Sequence, residues 1–380
     1  MTDDPEALRL RMIADLAERG ELDERWRAAF LTVPRHAFIP DLVWRQDRTV
    51  AGDRDLVPMR RADDPDGWLE LAYANDSVNT QVDDGAPADD ECGFEVTSSA
   101  SMPAVVAQML GALDAQPGMR VLEIGTGTGY NTALLAYHLG AENVVSIEID
   151  PETAEHARRA LAAAGFGAVT VITGDGAHGH PPCAPYDRVL ATAAAQQVPH
   201  AWVAQTRPGG RVLTPWGTSY WPGGLLALTV HGDGDATGRI IGPAAFMWLR
   251  EQRIPRYTVA GVRRSREPDT VSSTDLHPYY AAGDMHAATA IGLRVPRCES
   301  LFDTSSSTLY LVDQWGRSWA TLDTTTGPPY EVLQAGERKL WDEVHTAYRW
   351  WVEAGEPAVN AWRFTITPTA QHIELASVTR

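Results

Sequence analysis

Three glycines at alternate positions, Gly125, Gly127 and Gly129, follow the apolar run Val121-Leu122-Glu123-Ile124. A second apolar run, Val144 to Ile147, ends on the acid Glu148. Glycine permits the positive φ and the close backbone approach that a bound ligand demands. An acid at the end of the next strand can accept hydrogen bonds from both hydroxyls of a ribose. Thr173-Gly174-Asp175-Gly176 closes a third such run, and the Asp175 carboxylate can accept from an adenine amino group. Tight turns alone are a poor account of three such features at three successive strand ends. The expected cofactor residues are Glu123, Gly125, Thr126, Gly127, Glu148, Asp175 and Gly176. A dinucleotide site has its third glycine one residue later, beneath the pyrophosphate. Here that position is Tyr130, which disfavours a pyrophosphate and favours S-adenosylmethionine.

For these residues to meet, strands and helices must alternate. Arg120 to Ile124, Val144 to Glu148, Val169 to Thr173, Asp187 to Thr192 and Gly210 to Pro215 read as strands. Asn131 to Leu139 and Pro151 to Ala163 read as helices between them. That alternation implies right-handed crossovers and an α/β fold with a doubly wound parallel sheet. Leu225 to Val230 is expected as its edge strand. Pro103 to Leu113 is a predicted helix, with Ser101 or a neighbour as its cap.

Upstream, Leu8, Met12 and Leu16, then Leu22, Trp26 and Phe30, fall at helical spacing and predict two short helices split at Gly20. Val33 to Pro40 reads as extended between its prolines. Asp53 to Glu91 reads as irregular, and the acidic loop Asp83 to Glu91 as a solvated excursion, with a substrate-steering patch as the alternative. Beyond residue 254 the pattern changes. Leu309 to Val312 and Ser318 to Leu322 form a predicted hairpin. An amphipathic helix follows, with Leu340, Val344, Tyr348 and Trp351 on one stripe, closed by Gly355 and Pro357. Arg363 to Thr367 and His372 to Leu375 read as a last strand pair. The expected division is a helical and irregular substrate-side region over 1–96, a Rossmann-like cofactor domain over 97–254, and a smaller α+β accessory domain with a Trp-rich core over 255–380. Trp350 and Trp351 cannot both face one core, so one is expected to face a partner.

Composition narrows the function classes. Of 380 residues, 44% are hydrophobic and 22% charged, which is ordinary for a soluble globular chain. The net charge of -18 disfavours nucleic acid and anionic membranes and better tolerates a peptide carrying basic residues. Three scattered cysteines, Cys92, Cys183 and Cys298, fit a reducing cytosol. Met1-Thr2-Asp3-Asp4-Pro5 is unlike a signal peptide, and no apolar run is long enough to span a bilayer. A cytoplasmic protein is expected. His178, His180 and Cys183 lack a fourth ligand at zinc spacing, so no metal is expected.

Several segments together resemble the protein-L-isoaspartate O-methyltransferases. They are Val33-Pro34-Arg35-His36-Ala37-Phe38-Ile39-Pro40, Thr97-Ser98-Ser99-Ala100, Leu122 to Asn131, Gly174-Asp175-Gly176, Ala184 to Val189, Thr192 to Ala195, and Pro208 to Leu213. The resemblance spans roughly 33–217 and implies a class I methyltransferase fold using S-adenosylmethionine. It places Ser99 at the family's active serine, with Thr97 and Ser98 beside it at the substrate carboxylate. Ser98 stands where the family has isoleucine, Ser101 where it has proline, and Glu95-Val96 where it has Gly-Gln. Asp83 to Glu91 is an insertion. The Thr-Ser-Ser segment, the longer loop after Gln81 and the C-terminal extension resemble an actinomycete subgroup associated with ribosomally made, modified peptides. That subgroup methylates an Asp side chain in a precursor, and the ester collapses to an aspartimide. The expectation is therefore a peptide carboxyl O-methyltransferase of that kind, with repair of isoaspartyl residues as the alternative.

Overall fold

Alternating glycines can only be useful if strands deliver them to one edge, and the computed structural model of the chain does so. It describes residues 4–47, 55–87, 91–221, 223–254, 267–304 and 306–376. Two helices come first, α1 (Pro5–Glu18) and α2 (Glu24–Thr32), separated at Gly20 as the spacing predicts. Each is capped by an aspartate, Asp4 or Asp23, whose carboxylate accepts from a first-turn amide.

Two strands of a four-stranded antiparallel sheet lie within the stretch expected to be irregular. The sheet's strands are β1 (Leu42–Gln46), β2 (Leu56–Arg60), β3 (Val78–Val82) and β4 (Val96–Ala100), in the order β2-β1-β3-β4. Helix α3 (Pro65–Tyr73) lies between β2 and β3, with Asp64 as N-cap and Pro65 in its first turn. The strands escape a periodicity reading because they are short and polar. Pro58 is tolerated because β2 is an edge.

The segment expected to be extended between Pro34 and Pro40 instead holds a 3₁₀ turn, Arg35–Phe38. The turn carries the fully buried Arg35 guanidinium inward, where it donates to the carbonyls of Ala72, Ala74, Asp76, Ala100 and Ser101. Burial pulls its pKa down to about 10, still far above neutrality. Arg35 thus pins α3 to the end of β4.

The central layers follow: α4 (Pro103–Leu113), β5 (Val121–Ile124), α5 (Tyr130–Leu139), β6 (Val144–Glu148), α6 (Pro151–Ala163), β7 (Thr170–Thr173), β8 (Tyr186–Ala191), α7 (His200–Ala204), β9 (Thr206–Trp216), β10 (Gly224–Val230) and β11 (Ala236–Pro243). β5 pairs in parallel with both β6 and β8, so the strand order reverses beside β5. The crevice at such a reversal is where doubly wound sheets bind ligands. β5 and β6 are buried at every position, which is why they read as unbroken apolar runs. β10 is not an edge strand: it pairs with both β9 and β11. The α4 cap is also not local. Met102 occupies the N-cap position, and Asn75 supplies the accepting oxygen to the Ala104 amide at 3.0 Å.

The remaining elements are β12 (Thr270–Thr274), α8 (Pro278–Ala282), α9 (Met285–Arg294), β13 (Cys298–Asp303), β14 (Thr308–Asp313), β15 (Trp319–Asp323), β16 (Tyr330–Ala335), α10 (Leu340–Glu353), β17 (Trp362–Ile366) and β18 (Gln371–Leu375). β12 to β16 make a five-stranded antiparallel sheet that includes the expected hairpin. The last strand pair returns to the central sheet, where β17 lies against β11 and the order becomes β18-β17-β11-β10-β9-β8-β5-β6-β7. Neither tryptophan of the pair on α10 is left bare. Trp351 is buried and donates to the Pro357 carbonyl, while the Arg294 guanidinium lies 4.1 Å over the Trp350 ring. The expected start of the accessory part, residue 255, lies outside the described residues. Among the described residues, no helix is long and apolar enough to cross a membrane.

Candidate active site

The turn after β5 folds by its own residue types. Gly125, Gly127 and Gly129 have φ of 90°, 52° and 89°, the left-handed region that favours glycine. At Gly125 the φ and the space both exclude a side chain, since a Cβ would stand 2.6 Å from Thr192 Oγ1. That hydroxyl donates to the Gly125 carbonyl at 2.5 Å, and the Gly125 amide donates to Ile147 O at 2.8 Å. The turn is thereby fixed to β6 and to the end of β8.

Glu148, at the end of β6, accepts from the Gly127 amide at 2.9 Å and from the Asp150 amide at 3.1 Å. Burial pushes its carboxyl pKa up, opposed by those amides. Asp175 follows β7 and accepts from the Ala177 amide at 2.8 Å. Gly176 must be glycine because a Cβ would meet the Ile124 side chain at 2.5 Å. Gly125, Thr126, Gly127, Glu148, Asp175 and Gly176 all line one cleft.

Glu123 does not line it. Its carboxylate is fully buried beneath the turn and accepts from Asn131 Nδ2 at 2.6 Å, Thr132 Oγ1 at 2.5 Å and Ser146 Oγ at 2.6 Å. Burial raises its pKa to about 6 despite these donors. A group with three internal partners has little left for a ligand, so Glu123 positions the glycine turn from below. The sequence run could not separate this from a contact because Glu123 is adjacent to the turn in the chain.

Thr97, Ser98 and Ser99 on β4 line the opposite wall of the cleft. Thr97 is already occupied: its hydroxyl donates to Gln81 Oε1 at 2.9 Å and accepts from the Asp84 amide at 3.0 Å. Ser98 Oγ accepts from Thr80 Oγ1 at 3.3 Å. Among the described residues the Ser99 hydroxyl has no partner, which leaves it free for a ligand. Gln81 also lines the cleft.

Sequence reasoning missed a third wall, Phe246 to Arg250 with Arg253. This strap after β11 is bolted to the segment after β8. Ala194 donates to Met247 O at 2.7 Å and Leu249 donates to Ala194 O at 2.8 Å. The Gln252 side chain accepts from the Gln196 and Gln197 amides. No local motif marks the strap, because only the fold brings it to the cleft. Nor is the loop from Asp83 merely solvated. Asp83 accepts from the Phe94 and Glu95 amides, and Asp84 pairs with Arg250 and Arg253. Asp89 and Asp90 lie outside the described residues. His178 lies 3.7 Å from Asp175, and among the described residues no group of three His, Cys, Asp or Glu could hold a metal ion.

The glycine turn, which brings the backbone of Gly125 and Gly127 to the cleft without side chains, and the acid at the end of β6 suit an adenosyl ligand. Comparison with known proteins agrees. The family model for protein-L-isoaspartate(D-aspartate) O-methyltransferase matches residues 73–238. A protein-L-isoaspartate O-methyltransferase of Hyperthermus butylicus is 33% identical over 251 residues, covering 63% of this chain and 88% of the relative. One from Pyrococcus horikoshii is 40% identical over 164 residues, covering 43% of this chain and 74% of the relative. A solved protein-L-isoaspartate O-methyltransferase aligns over 97% of this chain and all of its own, with a TM-score of 0.54 and 19% identity. At that identity it shows the fold, including the part after residue 254.

Proposed function

The chain belongs to the protein-L-isoaspartate O-methyltransferase family, and on that premise we propose that it methylates the free carboxylate of isoaspartyl residues in peptides or proteins. It is an S-adenosylmethionine-dependent protein (iso)aspartate O-methyltransferase with a class I α/β fold. The observation that carries the substrate side is the Ser99 hydroxyl, without a partner among the described residues, on a residue that lines the same cleft as the glycine turn.

The residues present fit the cofactor: Gly125, Thr126 and Gly127 cradle it, Glu148 receives its ribose hydroxyls, and Asp175 with Gly176 borders its base. Bound S-adenosylmethionine supplies an electrophilic methyl group on a sulfonium. In an isoaspartyl residue the free acceptor is the α-carboxylate, with a pKa of about 3.5, so it is ionised at neutral pH and the chain needs no general base. Ser99 donates a hydrogen bond that orients this carboxylate, and Thr97, locked by Gln81 and Asp84, fixes the strand that carries it. Opposite charges cancel as the reaction proceeds, so the apolar walls Val106, Ile124, Phe246 and Leu249 favour transfer over separated ions. Residues 255–380 serve in this reading as an accessory unit for peptide recognition.

A second reading keeps the same chemistry and changes the acceptor to an ordinary Asp of a modified ribosomal peptide, the ester then closing to an aspartimide. Ser98, Ser101 and the loop from Asp83, all at the substrate wall, favour it. The named relatives favour isoaspartate, and so does an extension aligned with a solved protein-L-isoaspartate O-methyltransferase. Mass spectrometry of methyl transfer to an isoaspartyl peptide, its Asp isomer and a candidate modified precursor decides between them. Methylation of the isoaspartyl peptide alone is the expected result. Methylation with water loss on the precursor alone would establish the second reading.

A further inference from the structure

A chain of net charge -18 nevertheless places two arginines in its cleft. Arg250 and Arg253 come from the strap after β11, and both reach a single carboxylate on the rim. Asp84 Oδ1 forms an ion pair with Arg250 Nη2 at 3.0 Å, and Asp84 accepts from Arg253 Nη1 at 2.9 Å through one oxygen and 2.8 Å through the other. Asp150 Oδ2 is 4.0 Å from Arg250, at the limit of an ion pair. Arg250 Nε is buried with no hydrogen-bond partner among the described residues. One carboxylate uses few of the donors that two guanidinium forks present. Both arginines line the cleft that the substrate wall also borders, and Asp84 engages only part of their fork donors.

We propose that Arg250 and Arg253 form a second carboxylate site, taking an acidic side chain that flanks the methylated residue of the peptide. The inference rests on the proposed peptide carboxyl methylation and names its substrate class: an acidic peptide segment. Asp84 sets the spacing of the two forks. It sits in a left-handed turn, φ 54°, and its amide donates to Thr97 Oγ1, so the carboxylate site and the Ser99 strand are mechanically joined. Arginine suits the task because its planar fork matches a carboxylate in two contacts.

The test uses the full chain loaded with S-adenosylhomocysteine and fluorescent isoaspartyl peptides that differ only in a neighbouring Glu or Gln. The Glu peptide should bind about tenfold more tightly, the scale of a charge-assisted contact at a partly exposed site. The preference should shrink as salt rises. Arg250→Gln with Arg253→Gln should bring the ratio near one, and Arg253→Lys, which keeps the charge and loses the fork, should leave an intermediate ratio. Equal binding of the two peptides by the parent protein overturns the inference, as does a preference that survives both Gln substitutions. Turnover measured in parallel separates the two claims. A Glu preference in binding with no methylation of any peptide would support the arginine pair and count against the proposed acceptor.

Discussion

The two walls of the cleft are built in opposite ways. The cofactor wall is nearly contiguous, running from β5 through the glycine turn to Asp150, with Asp175 and Gly176 added from the end of β7 and Thr192 and Ala193 from the end of β8. Its partners are backbone amides and a buried carboxylate. The substrate wall gathers β4, Gln81 and the strap at Phe246 to Arg253, which are far apart in the chain; backbone bonds anchor the strap to Ala194 and β4 to β3, and side-chain contacts through Gln81 and Asp84 tie strand, loop and strap together. A wall made of backbone tolerates little change, whereas a wall made of side chains can be retuned without disturbing the cofactor. Specificity can therefore vary on one side of this cleft while the methyl donor stays the same.

Substitutions on each wall test that contrast. The largest effect is expected at Gly125→Ala, where strain at φ 90° and the contact with Thr192 should weaken S-adenosylmethionine binding about a hundredfold by calorimetry. Wild-type affinity would show that the turn can shift after all. Glu123→Gln comes next and has a pH signature. The folded pKa, about 6, lies above the ordinary 4.5, so this group's contribution to stability is fully present below about 4.5 and is lost as pH rises through about 6. Urea unfolding should therefore show the wild type losing about 2 kcal/mol relative to the variant across that window. A flat difference would remove Glu123 as the buried anchor.

On the substrate wall, Ser99→Ala should cut kcat about tenfold, the scale of one lost hydrogen bond, with cofactor affinity unchanged. A matching loss of cofactor affinity would mean that the two walls are not separable. The smallest effect is expected at Asn75→Ala, which removes the distant cap of α4 and should cost about 1 kcal/mol in a thermal melt, with kcat little changed.

What was legible in the sequence follows the same division. β6 and α6 form at the predicted residues because β6 is buried on both faces and α6 carries its own Asp150 cap and Pro151. The glycine turn was legible because each glycine answers to a local backbone angle. The small sheet β1 to β4 was not, since its strands are short and Gln81 and Thr80 interrupt any alternation. Arg35 hid for a related reason. Its motif was visible, but a buried guanidinium serving five carbonyls is a long-range arrangement. Glu123 was read as touching cofactor because chain proximity to the turn cannot say which face of β5 it occupies. The strap with Arg250 and Arg253 had no local mark.

The return of β17 to β11 also sets a schedule for synthesis. β11 ends at Pro243, and its outer neighbour begins at Trp362, roughly 120 residues later, so a ribosome adding 5–20 residues per second leaves that edge unpaired for on the order of ten seconds. An open edge invites pairing with other nascent chains. Arg239 and Pro243 on β11 are residue types that discourage such pairing until the chain's own end arrives. Truncation after residue 254 would make the open edge permanent, so solubility of the shortened chain reports on this safeguard as much as on the loss of the accessory part.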